Sequence, residues 1–165
     1  MRRREFIALL GSATAAAPCA ARAEAVQCPE GANEAHTAVP IAARLVGAWG
    51  FVSSTNTRAD GSSFDRWGPD PIGTFMFDGN GHFAQVIMGP ESRLFGAKNY
   101  FAFGKYSIDE AAKTIVTKIK GSSISKLNGT VQRRFVTALT ADELRYINDT
   151  TASGNSVDAS WRRLK

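Results

Sequence analysis

From Ile41 onward, apolar and β-branched residues come in short runs of about five to ten residues, separated by Gly, Asp, Asn and Ser. Runs of this kind are typical of β-strands, and no stretch carries the periodicity of a long amphipathic helix. The pattern predicts an all-β domain whose strands occupy residues 46–55, 72–78, 82–88, 100–108, 113–120, 130–138, 143–149 and 156–164.

Most links between these eight strands are short. The sequence Asp78-Gly79-Asn80-Gly81 is the clearest hairpin turn, because Gly and Asn tolerate the positive φ angles that tight turns require. Consecutive strands joined by tight turns form an up-and-down antiparallel sheet, and eight of them can close into a barrel without free edges. We therefore predict an eight-stranded up-and-down antiparallel β-barrel, which has room for about one small ligand.

The alternation of side chains assigns residues to the inner and outer faces of the predicted barrel. Ile115, Thr117 and Ile119 share one face of their strand, whereas each face of the strand at 130–138 carries an arginine, so that either Arg133 or Arg134 points inward. A register error of one residue turns any of these side chains to the other face. The predicted lumen residues are Phe75, Phe77, Met88, Tyr106, Phe135, Tyr146 and Arg133.

The longer links are expected to surround the mouth of the barrel. In an up-and-down barrel the links after the first, third and fifth strands lie at the same end, and here they include the long segments 55–71 and 89–99 and the segment 121–129. Their apolar residues would cover a cavity at that end.

The N-terminal residues have the pattern of an export signal. Three arginines at residues 2–4 precede an apolar stretch at 6–17, and two small-x-small triplets allow cleavage after Ala23 or after Ala25. The string Arg3-Arg4-Glu5-Phe6-Ile7 resembles a twin-arginine signal. We predict an export signal at 1–23, a flexible lead-in at 24–40 and the barrel at 41–165, and expect the protein in the periplasm or outside the cell.

Charge and composition narrow the possible partners. The formal net charge of +5 arises from 20 Lys and Arg against 15 Asp and Glu, and removal of residues 1–23 leaves 16 against 14. This small positive charge does not favour nucleic-acid binding. Beyond the N-terminus there is no apolar run of about 18 residues, so no transmembrane segment is predicted.

Few residues have the chemistry of a metal or catalytic site. After cleavage the chain retains Cys28, His36 and His82, which are too few for a zinc site. No Ser or Cys has the spacing of a nucleophile triad, and Gly79-x-Gly81 lacks the third glycine of a dinucleotide fingerprint. We therefore predict neither a cofactor nor a metal.

Several short motifs, taken in order, resemble those of bacterial lipocalin-like domains. They are Gly47-Ala48-Trp49 in the first strand, Trp67-Gly68-Pro69-Asp70-Pro71, Ile72-Gly73-Thr74-Phe75, Phe103-Gly104-Lys105-Tyr106, and Ser160-Trp161-Arg162-Arg163-Leu164 at the end. The resemblance covers residues 42–165. It implies a lipocalin-like barrel in which Trp49 packs across the closed end with Arg162 or Arg163 against its ring, a structural role that includes Gly47.

The barrel and its resemblance favour non-catalytic binding of a small, largely apolar molecule in the lumen. One alternative is a protein-binding module similar to small periplasmic protease-inhibitor barrels, in which residues 24–40 enter the cleft of a protein partner. Another is an isomerase or cyclase that acts on a lumen-bound terpenoid or polyketide. That reaction needs a buried acid or base, for which Tyr106, Arg133 and His82 are the candidates.

Overall fold

The structure is a computed structural model that describes residues 39–90, 99–149, 151 and 154–165. The predicted export signal, most of the lead-in, and the centre of the long link at 89–99 lie outside these residues. The described chain contains one short α-helix, one 3-10 helix (Ser125–Leu127) and nine strands: α1 (Ile41–Leu45), β1 (Gly47–Thr57), β2 (Ser63–Phe64), β3 (Ile72–Phe77), β4 (His82–Met88), β5 (Asn99–Asp109), β6 (Thr114–Ser122), β7 (Val131–Leu139), β8 (Glu143–Asn148) and β9 (Ser156–Arg163).

The strands form a closed antiparallel barrel. From β3 to β9 each strand pairs with the next, β1 pairs with β3, and β9 returns to pair with β1 along the register from Trp49↔Arg163 to Thr57↔Ser156. The eight long strands confirm the predicted fold. The sequence pattern missed α1 and also β2, a two-residue strand that pairs with the end of β1.

Side-chain alternation separates a packed interior from the outer surface. On β6, Ile115, Thr117 and Ile119 share one face, as predicted, and all three are buried. On β1 the pairing register shifts between Phe51 and Ser53, so that alternation changes phase along this strand. Trp49 and Phe51 therefore face inward before the bulge, and Ser54 and Asn56 face inward after it.

One end of the barrel, the closed end, is covered by α1 and the Trp49 side chain. Trp49 is fully buried and its indole Nε1 donates to the Leu45 carbonyl at 2.9 Å. Glu110, in the β5–β6 turn, accepts hydrogen bonds from the backbone amides of Ile41 and Ala42 at 3.0 Å each. Because these bonds satisfy the first amides of α1, the carboxylate holds this short helix in place.

Arg163 packs over Trp49 and ties three chain segments together. Its guanidinium carbon lies 4.0 Å from the ring centroid of Trp49. The guanidinium donates to the carbonyls of Ala141 at 2.7 Å, Val46 at 2.9 Å and Arg44. Of the two arginines that the resemblance implied, the structure assigns the ring contact to Arg163, whereas Arg162 is exposed.

Gly47 makes this arrangement possible. Its φ of 132° lies in the region that side chains disfavour, and a Cβ atom there would come within 2.7 Å of Arg163 Nη1. The Gly-x-Trp pattern thus has a physical basis, because the glycine leaves room for the arginine that packs against the tryptophan.

The predicted turn at residues 78–81 joins β3 and β4 at the closed end. Asp78 Oδ1 accepts hydrogen bonds from the backbone amides of His82 at 2.7 Å and Asn80 at 2.9 Å. The His82 amide bond contributes most to holding the pKa of Asp78 below its usual 3.8. The Tyr106 hydroxyl donates to the Asp78 carbonyl at 2.7 Å, so this predicted lumen residue braces the turn instead.

Candidate functional site

A cavity of about 370 Å³ lies inside the barrel at the end opposite α1, here called the mouth. The β1–β3, β6–β7 and β8–β9 connections contribute residues to its rim. The links after the first and fifth long strands therefore meet where the sequence predicted the mouth. Much of the wall is apolar and consists of Phe51, Ile87, Ile124, Leu127, Val157 and Ala159.

A polar cluster centred on Arg134 lies among these apolar side chains. Arg134 is only 2% exposed and donates to Gln132 Oε1 at 3.1 Å, to Gln85 Oε1 at 3.4 Å and to the Thr117 hydroxyl. Gln85 in turn donates to the Tyr146 hydroxyl at 3.5 Å. The network spans β4, β6, β7 and β8, and so places hydrogen-bonding groups beside the apolar wall.

Aromatic rings complete the surroundings of this guanidinium. Its central carbon lies 5.5 Å from the ring centroid of Phe75 and 5.6 Å from that of Tyr146. Ring faces attract cations at such distances. Phe75 also packs on Phe77 and Trp161, at centroid distances of 4.2 and 5.3 Å.

The charged residues that line the cavity are all positive. Its charged lining residues are Arg66 and Lys126 near the rim and Arg134 inside, and among the described residues no Asp or Glu lines it. Burial raises the pKa of Tyr100 above 10.0, since desolvation outweighs the attraction of Arg134. Tyr100 therefore remains a neutral hydroxyl at physiological pH.

The structure brings one predicted lumen residue, Tyr146, into the wall of the cavity. Phe75 and Phe77 are buried inside the barrel, toward the closed end, and Tyr106 packs edge-on against Phe77 at 5.0 Å. Met88 is half-buried and alternates with the inward-facing Ile87, so it lies on the other face of β4.

Phe135 and Arg133 require a correction. Both lie on the outer face of β7, Phe135 with 38% of its surface exposed, because Gln132 and Arg134 take the inward positions of that strand. Each face of the strand carries one arginine together with apolar residues, and the sequence-based assignment chose the wrong parity.

None of the proposed acid–base candidates lines the cavity. His82 and Tyr106 lie at the turn of the closed end, and Arg133 is outside. In the part of the chain that the structure describes, no three His, Cys, Asp or Glu side chains come together as metal ligands, and no helix has the length and hydropathy to cross a bilayer.

Sequence reasoning missed most of the polar lining. Arg134 had a usable signal, since one of the two adjacent arginines had to face inward. Ser54 and Asn56 had none, because the bulge on β1 changes the phase of the alternation just before them. Gln85 lies on the same inward face of β4 as Phe83 and Ile87. Because the inner face was recognised from apolar residues, a polar residue at this position was not identified as part of it.

Neither a protein-family model nor a curated protein matches this sequence. Structural similarity is found to a lipocalin-like protein from Bacteroides uniformis, with 18% identity and a TM-score of 0.46 over 73% of this chain and 99% of that one. A complex of bovine odorant-binding protein with a selenium-containing odorant has 16% identity and a TM-score of 0.45 over 78% of this chain and 75% of that one. A redesigned β-barrel, mFAP1 bound to DFHBI, has 17% identity and a TM-score of 0.44 over 76% of this chain and 100% of that one. At these values the comparisons assign the chain to no family.

Proposed function

We propose that this barrel binds a small, largely apolar molecule in the cavity at its mouth and releases it unchanged. The observation that carries the proposal is the cavity of about 370 Å³ inside a closed barrel. Binding sites for small molecules are concave, of this general size, and mostly apolar with a few polar groups that set orientation.

The division of the interior supports this function. Toward the closed end, Phe75 packs against both Phe77 and Trp161. At the mouth, Phe51, Ile87 and Val157 each present part of their surface to the cavity. An apolar ligand would cover this surface, and each Å² of apolar surface removed from water would favour binding by about 25 cal/mol.

The position of the acid–base candidates favours binding without catalysis. Tyr106 and His82 serve the turn at residues 78–81, and Arg133 faces outward. A reactive ligand in the cavity would therefore have none of these three groups beside it.

We also propose that the protein acts outside the cytoplasm. Support comes from the sequence, in which the arginines at residues 2–4, the apolar stretch at 6–17 and the small-x-small triplets have the order of an export signal. The intact mass of the protein recovered from its host tests this. We expect a chain that begins at Glu24 or Val26, and a full-length chain confined to the cytoplasm would contradict export.

Filling the cavity should abolish ligand binding. Ala159 is buried on the inner face of β9 and lines the cavity, so an Ala159→Trp side chain would occupy the space that the ligand needs. We expect wild type to enhance the fluorescence of the uncharged probe N-phenyl-1-naphthylamine with one site per barrel. Ala159→Trp should bind it at least about 10-fold more weakly, a loss of roughly 1.4 kcal/mol.

The matched control is Ser160→Trp, one residue along the same strand on the opposite face. This variant should bind the probe like wild type. Circular dichroism and thermal unfolding establish that both variants fold. Equal binding by wild type and a folded Ala159→Trp would show that the probe binds elsewhere, and the proposal would fail.

A further inference from the structure

The charge of Arg134 lacks an ionic partner among the described residues. The guanidinium is almost wholly buried, and its side-chain acceptors, from Thr117, Gln85 and Gln132, are all neutral. Its Nε–H donates to no described atom. Burial of a charge is costly unless the charge is paired, so buried ions in proteins usually have a counter-ion.

The rest of the cavity increases this imbalance. The other charged lining residues, Arg66 and Lys126, are also cationic, and among the described residues no carboxylate lines the wall. A cleft lined by charges of one sign and bounded by apolar walls concentrates ions of the opposite sign. The potential inside this cavity therefore favours an anion.

Neutral hydrogen-bond donors line the same cavity as the guanidinium. The Tyr146 hydroxyl accepts from Gln85 Nε2 and retains its own proton for donation. Asn56 Nδ2 and Ser54 Oγ also border the cavity, buried and without a hydrogen-bond partner in the described part of the chain. An anionic oxygen could thus receive hydrogen bonds in addition to the charge of Arg134.

We propose that the ligand is an amphipathic carboxylate whose head group pairs with Arg134 and whose apolar part lies against Phe51, Ile87 and Val157. A planar carboxylate accepts two parallel hydrogen bonds from a guanidinium, and its single negative charge balances the single positive charge of Arg134. This inference rests on the proposed binding function and specifies the chemical class of its ligand.

The test compares decanoate with 1-decanol, which has the same apolar chain and no charge. Isothermal titration calorimetry at neutral pH, below the aggregation concentration of either probe, measures both affinities. We expect wild type to bind decanoate about 10- to 100-fold more tightly than decanol, the range given by hydrogen bonds to charged groups. Arg134→Gln should lose this preference and bind decanol within about 3-fold of wild type.

The control is Arg133→Gln, which removes the same charge from the adjacent residue on the outer face and should keep the preference for decanoate. Arg134→Lys keeps the charge and should keep part of the preference. The ratio of the wild-type affinities for decanoate and decanol is measured without any variant. The proposal can therefore be overturned even if Arg134→Gln does not fold.

The possible outcomes separate the carboxylate assignment from the binding function on which it rests. Equal affinity of wild type for the two probes overturns the carboxylate assignment and leaves the apolar binding function intact. A preference that survives in Arg134→Gln places the head group at another basic residue and also overturns the assignment. Failure of both probes to bind would contradict the binding function and the assignment together.

Discussion

Replacement of Phe75 by alanine should lower the free energy of unfolding by about 3 to 5 kcal/mol, the usual cost of truncating a buried aromatic residue. Phe75 is fully buried inside the barrel. Its ring is in contact distance of aromatic rings on β3, β4, β8 and β9, and the variant would leave a void next to the cavity. The partners are Phe77, Phe83, Tyr146 and Trp161.

Urea unfolding monitored by circular dichroism measures this change. The neighbouring Met76 serves as the control, because it faces outward on the same strand and is 47% exposed. Met76→Ala should cost less than about 1 kcal/mol. Similar losses in the two variants would mean that Phe75 does not hold the core together as described.

Removal of the Arg163 side chain should be nearly as damaging. Arg163→Ala loses hydrogen bonds to the carbonyls of Ala141, Val46 and Arg44 and the contact with the face of Trp49. Because the guanidinium is partly exposed, water replaces some of these bonds, and we expect a loss of about 3 kcal/mol in the free energy of unfolding.

Two variants separate the specific contacts from loss of charge. Arg162→Ala removes the adjacent, exposed arginine and should change the free energy of unfolding by at most about 0.5 kcal/mol. Arg163→Lys retains the charge but cannot bond to three carbonyls in a plane, so its stability should fall between wild type and Arg163→Ala. Equal stability of Arg162→Ala and Arg163→Ala would contradict the closed end as described.

The strand order and closure of the barrel could be predicted because their signals are local. The turn at residues 78–81 has residues that permit its backbone geometry, and the alternation of Ile115, Thr117 and Ile119 marks the inner face of β6. Closure then follows from the need to pair both edges of an eight-stranded sheet.

The site was harder to predict because its position depends on strand phase. On β7, Arg133 and Arg134 are chemically identical, and only the packing of Arg134 against β4 and β6 distinguishes them. On β1, the bulge between Phe51 and Ser53 changes which alternate residues face inward, and no residue type in this segment predicts a bulge. Tyr106 does lie on the inner face of β5, but near the closed end. The alternation of side chains predicts which face a residue lies on and does not predict how far along the barrel it lies.

The interior thus has two parts with different roles. The closed end and the aromatic core around Phe75 supply stability, while the mouth retains a cavity with a buried cation in its wall. Stability and binding can therefore be changed separately, by Arg163→Ala in one case and Ala159→Trp in the other.

Native mass spectrometry of the protein recovered gently from its own host tests the central claim most directly. The barrel should carry a small molecule as a reproducible mass increment that denaturation releases, and the Ala159→Trp variant recovered in the same way should lack it. Wild-type barrels found only at the mass of the polypeptide, or an increment that persists unchanged in Ala159→Trp, would contradict ligand binding in the cavity.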